Sequence, residues 1–205
     1  MFDELNYFEY DTQEIENKLR QYFREMPDIT DEQVEKRKNV AIDIFDLMLL
    51  FMFYVNMNEY INAYQDIDYY VDMLSRGYAR ISGLDEYAQI WARNIVNTTF
   101  DNKDDNYYLS QERALNVAEN DANTIVNTQD YQKAVDSGKT HKTWISEKDN
   151  KVRKAHKKVN NKTIPIDKMF DLGECYMLYP HDYKNGTPNQ LINCRCHIQY
   201  STKNN

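Results

Sequence analysis

The feature that most constrains this fold is a change in the spacing of apolar residues near Gly138. Before that glycine, apolar side chains recur at intervals of three and four, which is typical of amphipathic helices. After it, short runs alternate between apolar and polar residues, as in strands with one buried face. We therefore expect an α+β protein, with a mainly helical N-terminal region over residues 1–137 and a small C-terminal module of short strands around one helix over residues 138–205.

Local signals within the N-terminal region place several helix ends. Thr30 and Gln33 have the spacing of a capping box, which predicts that a long second helix begins there. Gly77 and Gly83 are predicted to bracket a break between two later helices. Residues 54–78 are rich in tyrosine, a residue enriched at the centres of protein interfaces, so we expect a protein contact in this segment.

No membrane partner is expected from the apolar segments. The longest apolar run, residues 44–55, contains Asp46 and is shorter than the roughly 20 residues of a spanning helix, so it predicts a buried helix. The first residues are acidic and do not match a secretory signal, so we expect the chain to remain in a cytosol. Three cysteines fit such a reducing compartment and do not form a disulfide framework.

Charge divides the chain into an acidic and a basic part. Residues 1–130 carry 11 basic and 26 acidic side chains, a net charge of −15, whereas residues 131–205 carry 14 and 7, a net charge of +7. Such asymmetry indicates that the two parts face different partners. The basic part is suited to phosphate or to an acidic protein surface.

The segment KVRKAHKKV, residues 151–159, is predicted to be the helix of the C-terminal module. On a helical wheel, Asp149, Arg153 and His156 share one face. In a functional interpretation, His156 is a general acid or base and Arg153 stabilises a phosphate-like charge. In the structural interpretation, which we favour, Asp149 pairs with Arg153 and His156 hydrogen-bonds to a neighbouring strand.

The lysines of this segment are predicted to face outward as a basic ridge. The ridge comprises Lys148, Lys151, Lys154, Lys157, Lys158 and Lys162. It would either neutralise phosphates in non-specific DNA binding or form an ordinary solvated helix face. The candidate nucleic-acid contacts are Lys151, Lys154, Lys157 and Lys158.

Cys194 and Cys196 are expected to point inward from the last strand. They would be buried reduced thiols or ligands of a zinc ion together with His156, His181 or Cys175. Two same-face strand positions lie about 6.6 Å apart at Cα, near the upper limit for a disulfide and unlike a C-x2-C zinc knuckle. Buried thiols are therefore favoured, so no cofactor is predicted, with zinc as the alternative.

Several spaced motifs follow one another in the last 65 residues. They are Lys-x-Trp, Asp-x-x-x-Arg-x-x-His, a phenylalanine, Tyr-Pro-x-Asp, Gly-x-Pro and Asn-Cys-Arg-Cys. This order closely resembles the Mu F-like phage head morphogenesis domain, and residues 113–138 are similar to the helical segment that precedes it. The residues that carry the resemblance, expected to be structural, are Trp144, Asp149, Arg153, His156, Phe170, Tyr179, Pro180, Asp182, Asn193, Cys194 and Cys196.

The resemblance implies a minor capsid protein of a tailed phage, acting in head assembly and in genome packaging or ejection. Its location would be the virion, in the head interior or portal region, after assembly in the bacterial host cytoplasm. Its expected partners are the portal or other head proteins, with non-specific DNA as a further partner. The alternative is a small nuclease-like or nucleotide-processing enzyme using His156, Arg153 and Asp149, but no phosphate-cradling glycine loop or GxSxG motif accompanies them.

Overall fold

The computed structural model describes residues 10–60, 66–147 and 149–202, and it confirms the α+β class. The helices in these ranges are α1 (Thr12–Arg24), α2 (Asp31–Tyr60), α3 (Ile67–Ser82), α4 (Asp85–Asp101), α5 (Gln111–Asp136), α6 (Lys154–Val159) and α7 (Pro188–Leu191). The strands are β1 (His141–Ile145), β2 (Thr163–Pro165), β3 (Phe170–Asp171), β4 (Tyr176–Met177) and β5 (His197–Ser201).

The described residues form two compact units. The first contains the residues up to Leu19 together with Asn39–Glu119, and the second contains Arg20–Lys38 together with residues 120–202. Helices α1, α2 and α5 therefore each contribute residues to both units. The predicted boundary between residues 137 and 138 marks a change from helix to strand, and as a domain boundary it stays a prediction.

Helix α2 supplies much of the core of the first unit. Ile44, Phe45, Met48 and Phe51 are fully buried, as the wide apolar pattern predicted. By length and composition alone, α2 is also apolar enough to cross a membrane, and 44% of its most apolar window is buried inside the protein. Asp46 in this stretch accepts a hydrogen bond from the Tyr10 hydroxyl at 2.6 Å. The absence of a membrane partner stays a prediction.

The helix ends follow local sequence with one exception. Thr30 donates its N–H to Gln33 Oε1 at 3.0 Å, and Gln33 donates its N–H to Thr30 Oγ1 at 3.2 Å, which confirms the capping box. Gly83 ends α3 in the left-handed region, with φ of 67°. Gly77 was wrongly placed at a helix break: it lies inside α3, where an added Cβ would lie 2.5 Å from the Leu47 side chain. This glycine permits close packing of α3 on α2.

The tyrosine-rich segment is divided between core and surface. Tyr70 and Tyr78 are buried in the first unit, so they are not available for the predicted protein contact. Tyr54 and Tyr69 are exposed and remain candidates for it. The side chains of residues 60–65 lie outside the described residues.

The C-terminal strands form two small sheets in the second unit. β1 lies between β2 and β5 in an antiparallel sheet, with Trp144 opposite Ile198, and β3 pairs with β4 as a hairpin. Helix α6 lies in the connection from β1 to β2. The last strand begins only at His197, so the expectation that Cys194 and Cys196 lie within it is wrong.

The aromatic residues of the module form its core, with one correction. Trp144, Phe170 and Tyr179 are buried as predicted. Alternation in the strand-like run predicts that Tyr176 also lies in the core, but it is 57% exposed and the adjacent Met177 is buried in its place. In a hairpin of two-residue strands, a shift of one position reverses which side chains face inward.

Candidate functional site

The imidazole of His156 and the thiols of Cys194 and Cys196 form a buried cluster in the second unit. His156 is 1% exposed and each cysteine is 2% exposed. His156 Nδ1 lies 3.5 Å from Cys194 Sγ and 3.4 Å from Cys196 Sγ. The three atoms lie within 4.8 Å of one another. All three cysteines of the chain are free thiols.

Neighbouring elements fix the position of this cluster. His156 lies in α6, and its ring packs edge-on against Trp144 of β1 at 5.3 Å between centroids. The turn before the cysteines contains Asn193 with φ of 56°, a left-handed conformation that asparagine tolerates better than most residues. Cys194 and Cys196 follow that turn, and both Sγ atoms lie against His156 Nδ1.

A second buried imidazole, that of His181, supports the cysteine backbone. His181 Nε2 lies 2.6 Å from the Cys194 carbonyl oxygen, and Nδ1 lies 3.3 Å from Thr124 Oγ1. Because both ring nitrogens are engaged in this way, His181 positions the turn that carries Cys194. Among the described residues, the group of potential metal ligands contains neither His181 nor Cys175.

The two thiols of the cluster differ in their ionisation. Burial favours the neutral form of Cys194, but hydrogen bonds with Cys196 and the neighbouring imidazoles outweigh it and hold the pKa of Cys194 well below its ordinary value. Burial and the adjacent Cys194 sulfur raise the pKa of Cys196 well above its ordinary value.

Asp149 does not form the helical pair with Arg153 that the wheel predicted. Helix α6 begins only at Lys154, because Asp149 Oδ1 accepts the Lys151 N–H at 2.9 Å and holds the preceding segment in a turn. The other Asp149 oxygen binds the guanidinium of Arg195. That hydrogen bond is the main reason that the pKa of Asp149 is lowered.

The two arginines near the cluster bind structural partners. Arg153 donates from Nη2 to the backbone carbonyl of Ile192. Arg195 bridges Asp149 and Glu25, with Nη1 3.6 Å from the Glu25 carboxylate. These contacts connect the cysteine turn to the turn that follows α1 and to the segment before α6. A cavity of about 450 Å³ lies beside them and reaches the cysteines and His156.

A polar stripe on α5 binds the loops that carry the motifs. Asn120 accepts the backbone N–H of Asn193 at 2.5 Å and donates to its side-chain oxygen at 3.1 Å. One and two turns further along, Thr124 contacts His181, and Asn127 donates its amide to the carbonyl oxygen of Pro180 at 3.1 Å. The helical segment before the tryptophan therefore positions the C-terminal motifs through side chains spaced by three and four residues.

Arg37 of α2 binds two asparagines on this face of α5. Its side chain is 1% exposed and donates from Nε to Asn123 Oδ1 and from Nη2 to Asn127 Oδ1, each at 3.1 Å. Burial lowers the pKa of Arg37 to about 10, so the guanidinium stays charged at neutral pH. Asn127 in turn donates to the carbonyl oxygen of Cys196 at 3.4 Å. The buried guanidinium therefore fixes the asparagine that binds the backbone of the cysteine turn.

The Tyr-Pro-x-Asp and Gly-x-Pro motifs form a single loop. The buried carboxylate of Asp182 accepts the Leu178 N–H at 2.9 Å and an Asn185 side-chain N–H at 2.8 Å. Gly186 donates its N–H to the Asp182 carbonyl at 2.7 Å, and an added Cβ there would lie 2.9 Å from that same oxygen. Both motifs therefore stabilise the backbone conformation of this loop, Asp182 by accepting hydrogen bonds and Gly186 by permitting a close approach.

Lysines of the module divide into one buried residue and an exposed group. Lys142, of the Lys-x-Trp motif, is buried and donates to the Ile166 carbonyl at 2.8 Å, and burial lowers its pKa to about 8. Its ammonium group also lies 5.1 Å from the Tyr131 ring centroid. The exposed lysines of the predicted ridge are Lys151, Lys154, Lys157, Lys158 and Lys162, whereas Lys148 lies outside the described residues.

Sequence reasoning missed the roles of Arg37 and Arg195. A signal for Arg37 was present, because it lies three residues after Val34 and four before Ala41, on the apolar stripe of α2. A charge on such a stripe requires a buried partner. No comparable local signal identifies Arg195, whose acidic partner Asp149 is 46 positions away in the chain.

The chain is an α+β protein, and most motif side chains of its basic C-terminal module are buried. The family model described as Phage Mu protein F like protein matches residues 70–199, more than half of the chain. The chain therefore belongs to the Mu F-like family of phage head morphogenesis proteins. Neither a comparison with curated proteins nor one with solved structures gives a match.

Family membership makes this a phage structural protein associated with the virion. The matched region contains α5 and all the motif residues from Trp144 to Cys196. It begins after Arg37, so a residue outside the family match takes part in holding the matched motifs in place.

Proposed function

We propose that this protein is a minor head protein that lies at the portal and acts in head assembly and in genome packaging or ejection. Its acidic helical region contacts the portal or another head protein. The basic face of its C-terminal module contacts packaged DNA or an acidic protein surface. The observation that carries the proposal is that the module buries its aromatic, histidine and cysteine motif residues while four lysines around α6 remain exposed.

The exposed lysines suit phosphate without reading sequence. Lys151, Lys154, Lys157 and Lys158 are exposed and lie within eight consecutive positions, whereas Lys142 is buried and does not belong to this group. Clustered lysines release counterions from DNA and so produce salt-dependent, non-specific affinity. These lysines would therefore bind packaged DNA of any sequence.

The contacts of the three residues in the enzyme alternative favour a structural role for each. His156 is buried against Trp144 and the two thiols. Asp149 is bound to Arg195, and Arg153 donates to a backbone carbonyl. A general acid or base needs an atom aimed at the proton it transfers, and the contacts of Asp149, of Arg153 and of the Nδ1 atom of His156 are all to other groups of the protein.

Replacing Lys151, Lys154, Lys157 and Lys158 with glutamate is expected to abolish retardation of duplex DNA in a low-salt gel. Each change removes a positive charge and adds a negative one, so the attraction to phosphate becomes repulsion. Wild-type retardation should decrease steeply with added salt and should not depend on DNA sequence.

A charge-matched control separates this surface from net charge. Lys103, Lys133, Lys168 and Lys184 are exposed lysines of other segments, and their replacement with glutamate changes the net charge equally. The control variant should retain at least half of the wild-type affinity. Retardation that is unchanged in the first variant, or lost equally in both, would remove DNA contact at α6 from the proposal.

The head role is expected to appear as co-purification with the portal protein of the same phage. The full chain, co-expressed with that portal protein, should elute with it in size-exclusion chromatography and should be detected in purified proheads. The major capsid protein of the same phage, expressed alone with the chain, is the control and should not retain it. Absence from proheads together with separate elution from the portal would contradict the proposed location.

A further inference from the structure

We propose that His156, Cys194 and Cys196 bind one zinc ion, through the Nδ1 atom of the imidazole and the two Sγ atoms. Thiolate and imidazole are the ligands that zinc prefers in proteins. The inference does not depend on the proposed role in the phage head, because it rests only on atoms inside the C-terminal module.

The distances match those between ligands of a tetrahedral zinc ion. Zn–N bonds of about 2.0 Å and Zn–S bonds of about 2.3 Å at tetrahedral angles place a nitrogen and a sulfur ligand about 3.5 Å apart. The observed Nδ1 to Sγ distances are 3.5 Å for Cys194 and 3.4 Å for Cys196. The spacing of the cysteines, which in a regular strand argued against zinc, is compatible with it here because both precede β5.

Convergence of two sulfur atoms on one nitrogen also favours an ion over a thiol hydrogen bond. A deprotonated ring nitrogen accepts one proton along its lone pair, so it satisfies one thiol and not two. His156 Nε2 has no hydrogen-bond partner among the described residues, so the ring uses Nδ1 for its polar contacts. A cation placed between the three atoms contacts all of them at once.

Charge balance supports the same conclusion. Two thiolates and one zinc ion sum to zero, and a neutral assembly is tolerated at a site where every ligand is at most 2% exposed. The ring of His156 is already oriented by its edge-on contact with Trp144, and the Cys194 backbone by His181. Such supporting contacts orient ligands before a metal binds.

Three protein ligands leave a fourth coordination position. The cavity of about 450 Å³ reaches all three ligand residues and is also lined by Glu25 and Glu147. It provides an entry path for the ion and room for water as a neutral fourth ligand.

The test is metal analysis of the full chain, purified without chelators in a mild reductant and dialysed. We expect about one zinc per chain in the wild type and less than one tenth of that after C194S and C196S are combined. The matched control is C175S, which changes the third buried cysteine and should retain the zinc. Zinc kept equally by the double variant, or no zinc in the folded wild type after incubation with zinc chloride, would overturn the site.

Cobalt titration keeps the test decisive if the double variant does not fold. Wild-type chain stripped of metal and titrated with Co²⁺ should develop the visible bands of a tetrahedral ion and a thiolate-to-cobalt charge-transfer band in the near ultraviolet. Added zinc should displace both. Folded wild-type chain that shows no charge-transfer band would overturn the proposal, whatever the variants do.

Discussion

Replacing Arg37 with methionine is expected to lower the free energy of unfolding by about 3 to 5 kcal/mol. The apolar side chain fills part of the space, but it leaves the side-chain oxygens of Asn123 and Asn127 buried without their donors. Each unsatisfied buried acceptor costs about 1 to 3 kcal/mol. Urea denaturation followed by circular dichroism measures the change.

Two further variants identify the cause of that loss. Arg37→Lys should recover little stability, because an ammonium group does not reproduce the two separate N–H donors of the planar guanidinium. Arg24→Met, at an exposed arginine whose nearest carboxylate is 4.0 Å away, should change stability by less than about 0.5 kcal/mol. The loss of one hydrogen bond costs about 1 kcal/mol. If the free energy of unfolding of Arg37→Met lay within about 1 kcal/mol of the wild-type value, the role assigned to this buried cation would be contradicted.

Features determined by neighbouring residues were predictable from the sequence. The capping box at Thr30 and Gln33 and the glycine after α5 depend on backbone groups within a few positions. The alternation of residues 141–145 likewise predicts the strand that contains Trp144, at its observed bounds. In each case the interaction that determines the structure is local, so the pattern that predicts it is local too.

The failures occurred where a distant contact or a turn replaced a regular element. Asp149 was expected on a helix, but its carboxylate caps a turn and binds Arg195, 46 positions later. Cys194 and Cys196 were expected in a strand, but the left-handed Asn193 places a turn directly before them. A helical wheel or a strand alternation pattern assumes one continuous helix or strand, so it cannot detect the residue at which that helix or strand begins.

The candidate site was predicted as a set of residue types but not as a geometry. His156 and the two cysteines were named together as an alternative ligand set on chemical grounds alone. Their convergence within 3.5 Å depends on packing between α6 and a turn about 40 positions away. The polar stripe of α5 was hidden for the same reason, because asparagines in a helix acquire a role only when their loop partners are known.

Truncating Trp144 to alanine is expected to lower the free energy of unfolding by about 3 to 5 kcal/mol, because a fully buried indole would leave a cavity at the centre of the C-terminal module. The indole packs on the rings of His156 and Phe170, with centroids 5.3 and 5.2 Å away, so its loss also releases the histidine ring. Trp144→Phe should retain much of the stability, and Tyr176→Ala, at an exposed ring of the same module, should change it by less than about 0.5 kcal/mol. Urea denaturation compares the three. If Trp144→Ala were as stable as Tyr176→Ala, the core position assigned to the Trp144 side chain would be wrong.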